Sequence, residues 1–222
     1  MAKEIMNENA EAVVEAISKT EQFFEKNGKL LAYITAGLLI VGAGIFCWYK
    51  FLYQPSVQEA QGQMVAAEET FRAGDYELAL NGDGNFLGFA QIADEYGAKA
   101  GKDVFFYAGV CELQLGNWES AISYLKSYNG KDAILAARAA ACIGDAYAGL
   151  EDYAKALEYF EKAAAKADNM FAAGYLLKAG ITAEKLGKNE KALSFYEEIK
   201  DQYPQSMEGY DIDKYIGRIQ NK

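Results

Sequence analysis

The sequence predicts an all-α chain: one membrane-crossing helix, then a solenoid of helical hairpins with about four repeats and a C-terminal capping helix. Three observations predict it. Residues 30 to 49, LLAYITAGLLIVGAGIFCWY, form an uncharged apolar run. At about 1.5 Å per residue, a helix of that length matches the roughly 30 Å of a bilayer core. Only two prolines, Pro55 and Pro204, interrupt an alanine-rich chain, which favours long helices. Beyond Pro55, three segments superpose on one another at a period of roughly 35 residues, the mark of a helical array.

The first 29 residues read as an amphipathic tail. Met6, Ala10, Val13, Ile17, Thr20 and Phe24 recur at alternating steps of four and three, a heptad-like stripe on a helix with Gly28 as a stop. Such a stripe suits either a short helix at the membrane surface or a self-association helix. The span follows over 30–53, with Trp48, Tyr49, Phe51 and Tyr53 crowding its far end as an interfacial aromatic belt would. The tail is too long and too acidic for a secretory leader, and no A-x-A site follows the run. The segment therefore reads as a retained anchor. Lys19, Lys26 and Lys29 precede it and only Lys50 follows before Arg72, which places the N-terminus in the cytoplasm and the large C-terminal part outside.

Residues 57–222 hold the repeats. IGDAYAGLEDYAKALEYFEKA (143 to 163) superposes on AGITAEKLGKNEKALSFYEEI (179 to 199) and on AGVCELQLGNWESAISYLKSY (108 to 128). Each has a glycine in its first helix (Gly109, Gly144, Gly180) and an alanine early in its second (Ala121, Ala156, Ala192). Small residues at those places let two helices approach closely, and the large residues that follow fill the gap to the next repeat. The repeats are expected at about 60–100, 102–132, 136–170 and 173–205. A capping helix is expected over 206–220, with Ile212, Tyr215, Ile216 and Ile219 on one face.

The first copy is longer than the rest. AEETFRAGDYELAL (67 to 80) supplies Gly74, Asp75, Tyr76 and Ala79, yet Ala79 lies six or seven residues too far ahead of Ala121. Aligning IADEYG (92 to 97) with IKDQYP (199 to 204) also demands an insertion of about six residues after Leu80. The insertion loop holds Asn81, Gly82, Asp83, Gly84 and Asn85, with helix resuming near Phe86 and running to Tyr96. It fails as a calcium loop, because Phe86 stands where the turn glycine belongs and Ile92 where the bidentate Glu belongs. It also lacks the lysine and glycine spacing of a phosphate loop. Asn-Gly and Asp-Gly suit the positive-φ turns of a break in a helix, and the exposed tip is a candidate contact point.

Composition removes several function classes. The formal charge is −10, with 32 acidic against 22 basic residues, which disfavours nucleic acid as a partner. The absence of histidine removes Ser-His-Asp and Cys-His catalysis and His-ligated zinc. Cys47, Cys111 and Cys142 show no CxxC spacing, so buried small hydrophobes are the expectation for the latter two. Adjacent carboxylates such as Glu68 with Glu69 point about 100° apart on a helix and cannot work as a pair. No catalytic, metal or cofactor site is expected.

Residues about 60 to 204 resemble tetratricopeptide repeat domains, on the glycines, turn residues, aromatics and alanines just quoted. Glu151 departs from the pattern, standing where the turn glycine is usual. A short tail, one span and four such units together resemble the YfgM-like family, single-pass proteins of the bacterial cytoplasmic (inner) membrane with a periplasmic repeat domain. That resemblance implies a membrane-anchored protein–protein interaction scaffold, ancillary to protein translocation or to a periplasmic chaperone network. Its partners would be secretory translocon subunits, periplasmic chaperones or unfolded clients. The alternative is a structural subunit of an envelope complex, or a homo-oligomer without client binding.

In repeat domains of this kind that bind peptides, first-helix positions line a concave groove. Carried over residue by residue, they are Met64, Phe71 and Arg72 in the first unit and Phe106, Val110 and Leu113 in the second. Arg138 follows in the third, and Leu177 and Ile181 in the fourth. The Lys, Asn and Arg set of carboxylate-clamping families is absent. What remains suits an extended segment or an amphipathic helix, unless these residues pack internally.

Overall fold

The computed structural model describes the backbone of residues 2–167, 169 and 171–221. The side chains described begin at 18, 21 and 23 onward. The stripe residues Met6, Ala10, Val13, Ile17 and Thr20 therefore lie outside the described side chains. The chain divides into two compact units, Met1–Pro55 and Ser56–Lys222.

The first unit is dominated by helix α1, Ala2–Trp48. It passes through Gly28, so the expected stop there is corrected. One glycine costs a helix only about 1 kcal/mol against alanine, less than the hydrogen bonds lost by breaking there. One helix near the N-terminus is long and apolar enough to cross a membrane. Its Leu38, Leu39 and Ile40 are exposed, Ile40 at 73%, although burying such side chains is worth about 1.5–3 kcal/mol each. The hydroxyl of Thr35 is hidden by donating to the Leu31 carbonyl at 2.9 Å.

The backbone then widens into a π-helical turn, Tyr49–Tyr53, in which the Gln54 N–H donates to the Tyr49 carbonyl five residues back. Pro55 explains the widening. It has no N–H, and its ring collides with the carbonyl four residues earlier in a regular α-helix. Tyr53 stacks on Tyr49 at 5.6 Å and tilts against Trp48 at 5.5 Å.

The second unit is helical throughout its described elements. Helix α2 (Gln54–Arg72) is followed by α3 (Tyr76–Asn81) and α4 (Phe89–Glu95). A 3-10 turn at Gly97–Ala100 leads to α5 (Asp103–Gln114) and α6 (Trp118–Ser127). Next come α7 (Ala133–Gly149), α8 (Tyr153–Lys166), α9 (Ala172–Lys185) and α10 (Asn189–Gln202). Helix α11 (Met207–Gln220) closes the chain, burying Ile212 and Ile216 on the α9–α10 cluster.

Caps and turns follow from the residues at the joints. Asp75, Asp132 and Asp152 each accept a backbone N–H three residues on, filling an orphan donor at a helix start. Ser206 does the same for α11. The α5–α6 and α9–α10 turns each use a glycine at positive φ, Gly116 and Gly187. The α7–α8 turn places Glu151 at φ 60° in the same role, so this departure leaves the hairpin intact at the expense of local strain.

The α5–α6, α7–α8 and α9–α10 pairs each close over a first-helix glycine. A Cβ on Gly109 would stand 2.6 Å from Leu125, and one on Gly144 2.6 Å from Phe160. Tyr196 approaches Gly180 closer still. The large residue therefore sits over the glycine of its own pair, as well as reaching the next. Ala79, Ala121, Ala156 and Ala192 are all fully buried, since anything larger would push the helices apart.

The inserted segment leaves helix at Asn81 and regains it at Phe89, three residues beyond the expected Phe86. An antiparallel bridge between Gly82 and Leu87 and the Gln91 side chain, which accepts the Gly88 N–H at 3.2 Å, hold those residues out of the helix. Asp83 organises the tip. Its carboxylate accepts the backbone N–H groups of Asn85 (2.8 Å) and Phe86 (3.2 Å) and the Asn85 side-chain amide (3.1 Å). These donors hold its pKa below the usual carboxylate range, the Asn85 backbone N–H first.

Candidate functional site: a groove across three first helices

A cavity of about 410 Å³ opens where α5, α7 and the start of α9 face one another. Helix α5 contributes Val110, Leu113 and Gln114, and α7 contributes Ile134, Leu135, Arg138, Ala141, Cys142 and Asp145. Phe171, Tyr175 and Lys178 complete the wall from the α9 side. These are the first helices of three successive pairs. Stacking the pairs turns one face of each first helix towards a common concavity.

Of the residues predicted for a groove, Val110, Leu113 and Arg138 meet here. Met64 and Phe106 are corrected: both are buried in core clusters without reaching the cavity, whereas Val110 and Leu113, buried in the same cluster as Phe106, also line it. Met64 packs with Ala79, Leu80 and Phe89 in the first cluster. Phe106 packs edge-on to Tyr128 at 5.9 Å. Phe71 is half-buried, edge-on to Tyr76, Phe89 and Tyr107, so it joins the first two pairs. Arg72 pairs with Glu68 one turn back at 2.8 Å. Leu177 packs against the cluster beneath α9 and α10, and Ile181 is exposed outside the cavity. The insertion loop also lies apart from it. There, Leu87 donates its N–H to Gln63 on α2.

Sequence reasoning missed Ile134, Leu135, Phe171, Tyr175 and Lys178. Ile134 and Phe171 are 48% and 46% exposed, and both lie at helix starts, where register from the repeat pattern is weakest. Lys178 stands 36 residues, one repeat, beyond Cys142 and could have been found by carrying that position forward. Tyr175 stands one repeat beyond Ala139, which does not line the cavity, so the repeat pattern does not single it out.

The electrostatics of the groove are uneven. Lys178 holds both oxygens of Asp145, at 2.6 and 2.7 Å, cancelling one charge of each sign across α7 and α9. Among the described residues, Arg138 has no hydrogen-bond or ion-pair partner, and it lies exposed at the cavity wall. Burial pushes the Tyr175 hydroxyl above its ordinary pKa, with Arg138 opposing the rise. Burial likewise pushes the Cys142 thiol up to about 11, with Asp145 adding to the rise. The thiol remains protonated near neutrality and serves as wall rather than nucleophile. Apolar surface with one uncompensated guanidinium can bind.

A family model for the tetratricopeptide repeat matches residues 103–131 and 175–206, which take in α5–α6, most of α9 and all of α10, with the turns that follow. A crystal structure of MamA protein superposes with a TM-score of 0.58 over 74% of this chain and 84% of that one, at 18% identity. At that identity the likeness concerns the fold. No curated protein matches the sequence. The chain is an all-α protein carrying tetratricopeptide repeats, a fold that serves as a protein–protein interaction scaffold.

Proposed function

We propose that the chain is a membrane-anchored scaffold that holds segments of other proteins in the α5–α7–α9 groove. Helix α1 anchors it in the bacterial cytoplasmic membrane with the N-terminus in the cytoplasm and the repeats in the periplasm. There it serves protein translocation or a periplasmic chaperone network. The observation that carries the binding role is the cavity of about 410 Å³, within the size range of ligand sites and lined by exposed Ile134 and Phe171. The location is supported by the apolar helix, the lysines before it and the layout of tail, span and repeats.

A photo-crosslinker placed at Ile134 of the full chain in native membranes tests the role, with the same group at exposed Glu158 as control. Recovery of translocon subunits, chaperones or unfolded secreted clients at Ile134 alone supports it. Recovery of only self-crosslinks selects the assembly role instead. For topology, a membrane-impermeant thiol reagent should label Lys131→Cys from the periplasmic side; labelling only after permeabilisation reverses the orientation.

A further inference from the structure

The groove does not end at Phe171. That residue also lines a second cavity, of about 720 Å³, with Gln202, Tyr203, Pro204, Gln205, Ser206, Met207 and Glu208. It lies where the α10–α11 connection meets the start of α9, outside the three first helices. Its Met207 is 86% exposed, and no other large apolar side chain in the described part of this unit is as open. One half-exposed ring thus lines two neighbouring cavities, each with large apolar side chains in its wall beside polar ones.

Charge is not symmetrical across that ring. The first cavity presents Arg138, unpaired among the described residues, while its other cation is neutralised by Asp145. Among the described residues lining the second, Glu208 is the one charged at neutral pH. In a chain with a formal charge of −10, a lone guanidinium on an apolar wall selects for a carboxylate beside an apolar group. A cationic segment would meet repulsion at the same point.

Resting on the scaffold function above, we propose that the two cavities form one continuous docking channel. Its occupant is an acidic–apolar polypeptide segment: large apolar side chains seated on either side of Phe171, and an Asp or Glu between them paired with Arg138. Phe171 is the anchor that both halves of the segment touch. Arg138 selects the charge, and Glu208 disfavours a second carboxylate at the other end. Backbone contacts are not needed for this selection, so the segment is recognised by its pattern rather than by one fixed sequence.

The test uses the full chain in detergent micelles and a fluorescein-labelled peptide alternating Phe, Leu and Asp. Two companion peptides carry Asn or Lys in place of Asp. Fluorescence anisotropy should show the Asp peptide binding about fivefold more tightly than the Asn peptide, the scale of one exposed ion pair, with the Lys peptide weakest. Arg138→Ala should erase the Asp preference, and Arg138→Glu should reverse it. Phe171→Ala and Met207→Ser should each weaken all three peptides, Phe171→Ala by about tenfold or more as a central anchor. These side chains are exposed, and an unchanged circular dichroism melt verifies that the variants fold.

Equal binding of the Asp and Asn peptides overturns the charge selection and leaves the groove standing. Loss with Ile134→Ala but none with Met207→Ser overturns the continuous channel. Failure of every peptide to bind the wild-type chain, with Ile134 and Phe171 open, overturns the groove as a docking site altogether.

Discussion

The ring of Tyr196 covers the backbone of Gly180 so closely that a Cβ at that position would overlap Cε1 of the ring. The ring cannot retreat. Tyr196 is fully buried, and its hydroxyl donates to Glu184 on α9 at 2.8 Å. Gly180→Ala therefore gains about 1 kcal/mol of helix propensity but overpacks a fixed contact, at a penalty of about 1–3 kcal/mol. Urea unfolding should show net destabilisation. Gly109→Ala should be milder, because the nearest atom there, Leu125 Cγ at 2.6 Å, stands farther off than the Tyr196 ring does from a Cβ at Gly180. Equal effects at the two sites would contradict this packing argument.

Glu184 also pairs with Arg218 on α11, so one carboxylate links three helices at the C-terminal end. Burial pushes the Tyr196 hydroxyl above its ordinary pKa, and the Glu184 hydrogen bond adds to it. Tyr196→Phe keeps the ring over Gly180 and removes only the donor. A hydrogen bond to a charged group is worth about 1.5–3 kcal/mol, and the Arg218 pair retains part of the stability. A loss of about 1–2 kcal/mol is expected, with faster amide exchange in α11. Exchange unchanged in α11 would show that the cap does not depend on the Tyr196 hydroxyl.

Glu151 offers a gain instead. It occupies φ 60° where the neighbouring hairpins use Gly116 and Gly187, and left-handed backbone costs a side-chain-bearing residue about 1–2 kcal/mol. Glycine relieves that strain while adding unfolded-state entropy of about 0.5–1 kcal/mol. Glu151→Gly should stabilise the fold by about 0.5–1 kcal/mol, seen as a higher urea midpoint. A lower midpoint would mean that the Glu151 side chain contributes more than its backbone costs.

Two thiols, buried Cys111 and half-buried Cys142, set an alkaline limit. Burial raises Cys111 from 9.0 to about 12 and Cys142 from 9.0 to about 11. A folded-state pKa above the unfolded one favours the neutral form, so this stability is complete below about pH 9. It is lost as pH rises towards the folded values. The urea midpoint should fall between about pH 9 and 11, and Cys111→Ala with Cys142→Ala should flatten that fall. Iodoacetamide should label neither thiol quickly at neutral pH. Rapid labelling of Cys142 would show a more open groove wall.

The sequence by itself determined what depends on neighbours along the chain. The apolar run of α1 follows from composition, and the helix pairs follow from glycine and alanine recurring at one period. The insertion after Leu80 follows from a count of residues. What only tertiary structure decided is which faces survive exposed once the pairs stack. Met64 and Phe106 have the same chemistry as Val110 and Leu113, and all four fall inside core clusters, yet only the latter two also reach the cavity wall. Phe171 carries no signal of its own. It belongs to a turn, and its place between two cavities arises because the start of α9 meets both the face of α7 and the α10–α11 connection. Hydrophobic periodicity tells a residue that it must face inward, and the packing of non-neighbouring helices decides whether that interior is filled.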